Sequence, residues 1–178
     1  MAFKEWALVC EALGGGRQSI ILRKGGIAEG RQGFRFEHAE FLLFPTGFHE
    51  QVQKLTLPAE TPLPALEEAR HCIRWGASVE WTRELTDWEQ IAALAPYHLW
   101  REEVLRERFE YEGRQSISLA FLRIFELAEP HVFENEPKYG GCRSWVKIPD
   151  PPEQTPRRAV LGEDAHRGLE KKLLATLV

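Results

Sequence analysis

The sequence lacks any apolar run long enough to cross a membrane. Its uncharged apolar stretches, such as residues 19–22 and 41–44, are short, whereas a membrane-spanning helix needs about 20 apolar residues. The first six residues include Glu5 and Trp6, where a signal peptide would have a basic region followed by a long apolar segment. We therefore expect no membrane partner and no secretion signal, and we predict a cytoplasmic protein.

Cysteine and aspartate are scarce. The three cysteines show no C-x-x-C spacing, so the sequence predicts neither a disulfide framework nor a zinc knuckle. The three aspartates lie in predicted helix caps or linkers, which counts against a metal-dependent nuclease that needs Asp, Glu and Lys together. The phosphate-binding motif G-x-x-x-x-G-K-[ST] and the nucleophile motif G-x-S-x-G are both absent. The cysteines, which we expect to be reduced, are Cys10, Cys72 and Cys142.

Positive charge is in the minority. The 178 residues include 23 Lys and Arg against 27 Asp and Glu, which gives a net charge of −4. Proteins that coat nucleic acid or anionic membranes have strongly basic surfaces, so this average excludes that class. Five basic residues nevertheless gather in one short stretch: Arg17, Arg23, Lys24, Arg31 and Arg35. A localised anion site is therefore compatible with the composition.

The pattern of apolar residues predicts an α+β protein. Apolar positions spaced three and four apart predict helices, whereas β-branched and alternating apolar segments predict strands. Because the strands and helices do not alternate regularly, we expect a mostly antiparallel, barrel-like sheet of about six strands with flanking helices. The predicted helices are 3–13, 87–94 and 163–177, with a short helix near 104–109; the predicted strands are 18–23, 34–36, 41–44, 67–84, 116–127 and 144–148.

Proline marks the boundaries of the predicted domain. Residues 57–64 hold three prolines and predict an extended connector inside a single α+β domain that covers residues 1–150. Residues 151–178 begin with a polar, proline-rich linker and end in a helix with an apolar face. We expect this last helix to pack on the domain or on a partner.

A basic turn follows the strand that ends near residue 23. Arg23 and Lys24 supply two cations, and Gly25 and Gly26 allow a backbone to approach a ligand closely. Backbone N–H groups and two cationic side chains in such a turn can bind an anion, of which phosphate is the natural candidate. The alternative interpretation is a hairpin turn with solvated basic side chains.

Histidines and a carboxylate lie close behind this turn. Glu37, His38 and His49 could hold a divalent metal or act as general acid and base, because imidazole and carboxylate suit both roles. Their spacing matches no recognised metal motif, so hydrogen-bonded structural histidines are the alternative, and we predict no cofactor. Thr46, in the Pro-Thr-Gly turn before His49, is included among the candidate ligand-binding residues.

An aromatic segment near residue 100 forms a second candidate site. His98, Trp100 and Arg101 follow a proline in a predicted loop, and an aromatic face beside a basic group can stack a nucleic-acid base. The alternative is that these residues pack in the core, which is the interpretation that we prefer for Trp75 and Trp81 on a predicted strand.

The chain resembles the bacterial family catalogued as domain of unknown function 1802. The resemblance covers the chain to about residue 148, with its specific part in the first half, and it implies no established activity. A small mixed barrel with a basic turn and an aromatic loop is also similar, more loosely, to the PUA-like group with its ASCH and EVE domains, which bind RNA or modified bases. The segments that carry the family resemblance are Lys4–Trp6, Ala12–Leu13, Leu22–Ile27 and Phe36–His49, with Trp100 and Arg123.

Three hypotheses about function follow. The first is a domain that binds a nucleic acid or a nucleotide-like ligand in a local groove, with RNA or modified or single-stranded DNA as partner. The second is a phosphoester hydrolase that uses Glu37, His38 and His49. The third is a non-catalytic interaction or assembly subunit, which would expose a contiguous apolar patch.

Overall fold

The computed structural model describes residues 1–24, 34–113, 115–151 and 156–178. Within these residues, no helix is both long and apolar enough to cross a membrane. The strands are β1 (Ala2–Trp6), β2 (Ile20–Arg23), β3 (Glu40–Thr46), β4 (Arg70–Leu85), β5 (Ile117–Glu134), β6 (Trp145–Val146) and β7 (Arg157–Ala159). The helices are α1 (Ala7–Gly14), α2 (Gln51–Lys54), α3 (Trp88–Ala93), α4 (Glu102–Glu110) and α5 (Glu163–Thr176), with short 3₁₀ turns at residues 95–97, 111–113 and 137–139.

The strands form one mostly antiparallel sheet, which confirms the predicted α+β class. The strand order is β2-β5-β4-β3-β1-β6, and β7 pairs with a second part of β5. Among the described residues, the parallel pairing is that of β1 with β3. The sheet is open and not a closed barrel, because in these residues β2 and β6 end the ladder without pairing to each other. The two ends approach through one side-chain contact, from Arg23 Nη2 to Ser144 Oγ at 3.2 Å.

A long antiparallel ladder between β4 and β5 forms the centre of the sheet. It runs from Arg70 opposite Glu134 to Leu85 opposite Ile117. Both strands were predicted, but β5 continues beyond Pro130, where the sequence indicated an end. The register shifts next to this proline, which fits a residue that has no N–H to donate to a ladder.

The N-terminal segment corrects the prediction of a helix over residues 3–13. Residues 2–6 form a strand that pairs with β3 on one side and with β6 on the other, and the helix begins at Ala7. Phe3 is fully buried in the larger of two apolar clusters. Its packing and two ladders of hydrogen bonds stabilise the extended form, although the local apolar spacing also fits a helix. The predicted strand at residues 34–36 is likewise not formed, and Phe34 packs against Phe3 at 5.8 Å.

The C-terminal helix α5 lies against the outer part of β4. Its Leu173 is fully buried in the larger apolar cluster. Trp81 Nε1 donates a hydrogen bond to Glu170 at 3.0 Å, and Arg83 donates one to the carbonyl of Leu177 at 3.3 Å. Before this helix, β7 adds to the edge of β5. Residues 156–178 therefore contact the sheet through both a strand and a helix.

Gly76 in β4 is covered by an aromatic ring. A Cβ atom at this position would lie 2.5 Å from two ring atoms of Phe125 and 3.1 Å from Leu42. Both neighbours are buried in the smaller apolar cluster, so they have little room to move. Gly168 in α5 differs, since a Cβ atom there would meet nothing within 4 Å.

We predict that Gly76→Ala lowers the free energy of unfolding by about 1–3 kcal/mol, because overpacking a core forces its neighbours out of place. Gly168→Ala is the matched control and should raise that free energy by about 0.5–1 kcal/mol, as expected for alanine in a helix interior. Urea unfolding of both variants measures the two changes. A neutral Gly76→Ala variant would contradict the close packing of the Phe125 ring.

His98 is a buried histidine that stays neutral. It is 7% exposed, and its Nδ1 accepts a hydrogen bond from the backbone N–H of Trp100 at 3.1 Å. Its Nε2 is buried without a hydrogen-bond partner in the described part of the chain. Burial lowers the pKa of His98 to about 4, because an imidazolium loses its hydration there.

This pKa predicts that the protein loses stability on mild acidification. Between pH 6.5 and 4 the unfolded chain binds a proton at His98, whereas the folded chain does not. The neutral state of His98 therefore contributes to the free energy of unfolding above the unfolded pKa, and this contribution is lost as the pH falls to 4. The loss amounts to about 3 kcal/mol for a shift of this size. His98→Asn retains an acceptor for the Trp100 N–H and cannot titrate. Its free energy of unfolding should therefore fall less between neutral pH and pH 4, and equal slopes for variant and wild type would refute the assignment.

Candidate functional site

Strand β1 carries two neighbouring charged residues that are both buried. Lys4 is 8% exposed and Glu5 is 2% exposed. Because successive side chains of a strand point to opposite faces, the two lie in different surroundings. Lys4 lies near the ring of Phe44 in the smaller apolar cluster. Glu5 faces the side on which Arg108 lies, so one face of β1 contributes a carboxylate to a cluster of basic and aromatic residues.

Arg108 on α4 is the centre of this cluster. Its guanidinium carbon lies 3.7 Å from the ring centroid of Trp100 and 5.8 Å from that of Trp6. The two tryptophan rings contact each other, with centroids 4.7 Å apart. Nη1 of Arg108 is buried and has no hydrogen-bond partner among the described residues. We call Glu5, Trp6, Arg23, Trp100 and Arg108 the arginine–tryptophan cluster.

The electrostatics of the arginine–tryptophan cluster favour an anion. Burial lowers the pKa of Arg108 to about 10; the charge of Glu5 raises it, that of Arg23 lowers it further, and the exposed Glu107 raises it. Glu5 itself accepts a hydrogen bond from the backbone N–H of Trp6 at 2.8 Å. Two half-buried arginines, Arg23 and Arg108, and one buried carboxylate, that of Glu5, therefore contribute to the electrostatics of the cluster. A further negative charge would offset the repulsion between Arg23 and Arg108.

The basic turn contributes its two cations differently. Arg23 lies over the ring of Phe3 at 5.4 Å and donates a hydrogen bond to Ser144 Oγ, and its charge lowers the pKa of Arg108. Lys24 Nζ donates to the carbonyls of Phe109 and Ser116 at 3.3 and 3.1 Å. Lys24 thus ties the end of β2 to α4 and to the start of β5. The predicted ligand residues Gly25 and Gly26 lie outside the described residues.

Of the predicted residues Glu37 and His38, His38 lies near Trp145. The rings of His38 and Trp145 meet edge to face with centroids 4.8 Å apart. Glu37 is exposed to solvent, and Nε1 of Trp145 is buried without a partner in the described ranges. Trp145 in turn packs on Phe3 at 5.0 Å, the ring that Arg23 covers. His38 is therefore linked to Arg23 through two aromatic rings.

Thr46 and His49 lie at the other end of the same region. Thr46 Oγ1 donates to the carbonyl of Glu5 at 3.0 Å and fixes the end of β1. The side chain of His49 is 84% exposed and lies 3.5 Å from Glu50. Its ring contacts Phe48 at 5.2 Å, and Phe48 contacts Trp6 at 5.1 Å. No group of three or more His, Cys, Asp or Glu side chains in the described residues could hold a metal ion.

The predicted aromatic segment is docked into the core. Trp100 is 3% exposed and forms an isolated bridge with Leu55. Arg101 Nε donates to the carbonyl of Leu55 at 3.0 Å, and His98 is buried as described above. Trp100 is therefore a support for Arg108 and not an exposed stacking surface. The structure brings Arg23 and Trp100 into one cluster, while Arg101 and His98 hold the segment in place.

Sequence analysis missed Glu5, Trp6 and Arg108 as functional candidates. Arg108 had a usable signal, because it lies four residues after Val104 and three after Leu105, on the apolar face of α4. A cation on the buried face of a helix needs a partner, and this position therefore indicates a specific contact. Glu5 and Trp6 carried part of the family resemblance, but the predicted helix hid their pairing in β1.

Among solved structures, the chain is similar to a mutant of the protein ZmASCH from Zymomonas mobilis. The two share 13% sequence identity and a TM-score of 0.41, with 68% of this chain and 66% of that protein covered. The chain thus spans just under two thirds of that protein. An ASCH protein belongs to the PUA-like group named above, but at this TM-score the likeness carries no argument about fold or function. Among curated proteins, no sequence matches this chain.

A family model gives the decisive comparison. It matches residues 2–172, which include every strand in the described part of the chain and the first ten of the 14 residues of α5, and its description is a domain of unknown function, DUF1802. The resemblance identified from the sequence is confirmed over a longer stretch than the 148 residues expected. The match includes all five residues of the arginine–tryptophan cluster. The chain therefore belongs to the DUF1802 family.

Proposed function

We propose that the protein binds a nucleic acid or a nucleotide-like ligand at the arginine–tryptophan cluster. The observation that carries this proposal is the state of Arg108: two tryptophan rings hold its guanidinium, and its buried Nη1 has no acceptor among the described residues. A buried donor without an acceptor is costly. A phosphate oxygen is a suitable acceptor, because guanidinium groups match phosphate in charge and geometry.

A second guanidinium supports phosphate as the ligand group. Arg23 lies close enough to Arg108 to lower its pKa, whereas the buried carboxylate of Glu5 raises it. A phosphate bound between Arg23 and Arg108 would neutralise their mutual repulsion. The net charge of −4 for the chain means that this attraction is local, so we expect recognition of a short segment or of a single nucleotide.

Aromatic side chains at the edge of the cluster offer a surface for a base. Trp6 and Phe48 are each half-buried, and their ring centroids lie 5.1 Å apart. Stacking of one base on an aromatic side chain contributes about 1–3 kcal/mol. The exposed His49 extends this surface. Trp100 is too deeply buried to stack a ligand, and its role is to orient Arg108.

The remaining predicted residues would act around this site. Lys24 anchors the end of β2 to α4 through main-chain carbonyls, so its part is to position Arg23. His38 lies at the Trp145 side of the cluster. Gly25 and Gly26, which follow Lys24 directly, keep their predicted role of allowing close approach of the backbone to the phosphate. RNA and modified or single-stranded DNA remain the expected partners.

We predict that Arg108→Gln weakens binding of a short single-stranded RNA at low salt by about 10-fold or more, since a hydrogen bond to a charged group contributes roughly 1.5–3 kcal/mol. The slope of log K against log salt should also fall by about 0.7, the value for one lost phosphate contact on a single strand. Fluorescence anisotropy at several salt concentrations measures both quantities. Single-stranded DNA and a mononucleotide serve as further ligands.

Arg106→Gln is the matched control for this experiment. Arg106 lies on the same helix and also covers a tryptophan, Trp88, at 4.3 Å, but it is exposed and paired with Glu110. This variant should bind as wild type does. Arg23→Gln provides a second test at the cluster if Arg108→Gln is poorly folded by circular dichroism. Equal affinity in all four proteins, or no binding by wild type to any of the ligands, would disprove the proposal.

A further inference from the structure

A separate cavity lies on the opposite face of β1 from the arginine–tryptophan cluster. It has a volume of about 610 Å³ and is lined by parts of α1, β3 and β4, with the segment Pro64–Glu68 and the turn at Tyr139 on its other sides. This volume falls within the range of sites for small organic ligands. Its walls include the aromatic side chains of Phe44, Trp75 and Tyr139. The cavity is therefore large enough and apolar enough to hold a small molecule.

Lys4 is the distinctive charged residue of this cavity. It is 8% exposed, its Nζ donates one hydrogen bond to the carbonyl of Gly141 at 3.0 Å, and Nζ lies 5.8 Å from the Phe44 ring. An ammonium group has three donors. Within the described residues, no carboxylate forms an ion pair with Lys4. Burial and the nearby charge of Arg143 lower its pKa, which is the direction expected for a cation short of negative charge.

Three other basic side chains that line the cavity already have partners. Arg70 pairs with Glu134 at 3.0 Å. Arg74 lies 3.7 Å from Glu11 and 4.0 Å from Glu126, and it also covers the ring of Trp75 at 4.4 Å. His71 Nε2 is hydrogen-bonded to Asn135 at 2.8 Å. One buried ammonium is thus left to meet one negative charge of a ligand.

The rim of the cavity limits the charge of that ligand. Glu67 and Glu68, at the end of the segment Pro64–Glu68, are exposed and line the cavity. Two carboxylates at the entrance repel a polyanion or a phosphate dianion more than a monoanion. Together with the aromatic walls, this arrangement selects a molecule with one negative charge and an apolar body.

We propose that this cavity binds a small monocarboxylate whose organic part is apolar, with the carboxylate at Lys4 and the apolar part against Phe44, Trp75 and Tyr139. The carboxylate accepts a charge-assisted hydrogen bond from Lys4 Nζ. The site is independent of the arginine–tryptophan cluster, because Lys4 and Glu5 point to opposite faces of β1. The protein therefore has a small-molecule site in addition to the proposed nucleotide site.

The test compares three probes of similar size on the full chain by isothermal titration calorimetry: phenylbutyrate, its neutral amide phenylbutyramide, and phenyl phosphate. Wild type should bind phenylbutyrate at least about 10-fold more tightly than the amide, as expected for loss of a charged hydrogen bond. Phenyl phosphate should bind more weakly than phenylbutyrate. Equal binding of the amide, tighter binding of the phosphate, or no heat from any probe at millimolar concentration would overturn the proposal.

Variants locate the site. Lys4→Met should reduce phenylbutyrate affinity by about 10-fold or more and leave RNA affinity unchanged. Lys147→Met is the control at an exposed lysine, and it should leave both phenylbutyrate affinity and RNA affinity unchanged. Ala65→Trp places a large side chain on the exposed segment Pro64–Glu68 that lines the cavity. This variant should also block the binding of phenylbutyrate, without disturbing the core. If Lys4→Met does not fold, Ala65→Trp still tests the location of the site, and the comparison of the three probes on wild type still tests the charge of the ligand. Undiminished phenylbutyrate binding by Ala65→Trp would refute this location.

Discussion

The pairing of β1 with both β3 and β6 is the interaction on which both proposed binding sites depend. It holds five residues extended in the interior of the sheet and sends Lys4 and Glu5 to opposite faces. A charge in such a position is stable only if polar partners or a counter-charge meet it. Glu5 has Arg108 on its side, and Lys4 has a carbonyl and an aromatic ring. Each face of one short strand thus carries a different buried charge, and each charge belongs to a different proposed site.

The class of fold could be predicted from the sequence because it depends on local patterns. The alternation of apolar residues located β4, and the predicted helices at 87–94, 104–109 and 163–177 correspond within a few residues to α3, α4 and α5. The N-terminal strand could not be located in this way, since Phe3 and Trp6 fit a helical stripe as well as a strand. The extended form of this segment depends on pairing with β6, where Val146 lies opposite Ala2 although the two are far apart in the sequence. The open sheet follows from long-range pairing of the same kind.

Residues of the arginine–tryptophan cluster could be predicted from the sequence only where a single side chain has a distinctive chemistry of its own. Arg23 and Trp100 were identified from charge and aromatic character, and both lie in the arginine–tryptophan cluster. Arg108 and Glu5 become meaningful through burial, which depends on which helix covers which strand. His98 shows the opposite case. A histidine near a tryptophan resembles a ligand site in the sequence, yet the ring of His98 is buried and accepts a hydrogen bond from the backbone N–H of Trp100. Residue type gives the possible chemistry, and tertiary packing decides whether it is available.

The position of β1 also has a consequence for synthesis of the chain. Its partner β3 ends at Thr46, whereas its partner β6 ends at Val146, about 100 residues later. At translation rates of roughly 5–20 residues per second, one edge of β1 waits on the order of 5–20 s for its second neighbour. An unpaired edge is a template for association with other chains. Charged side chains on an unpaired edge disfavour such association, and Lys4 and Glu5 place charge on β1 throughout this interval.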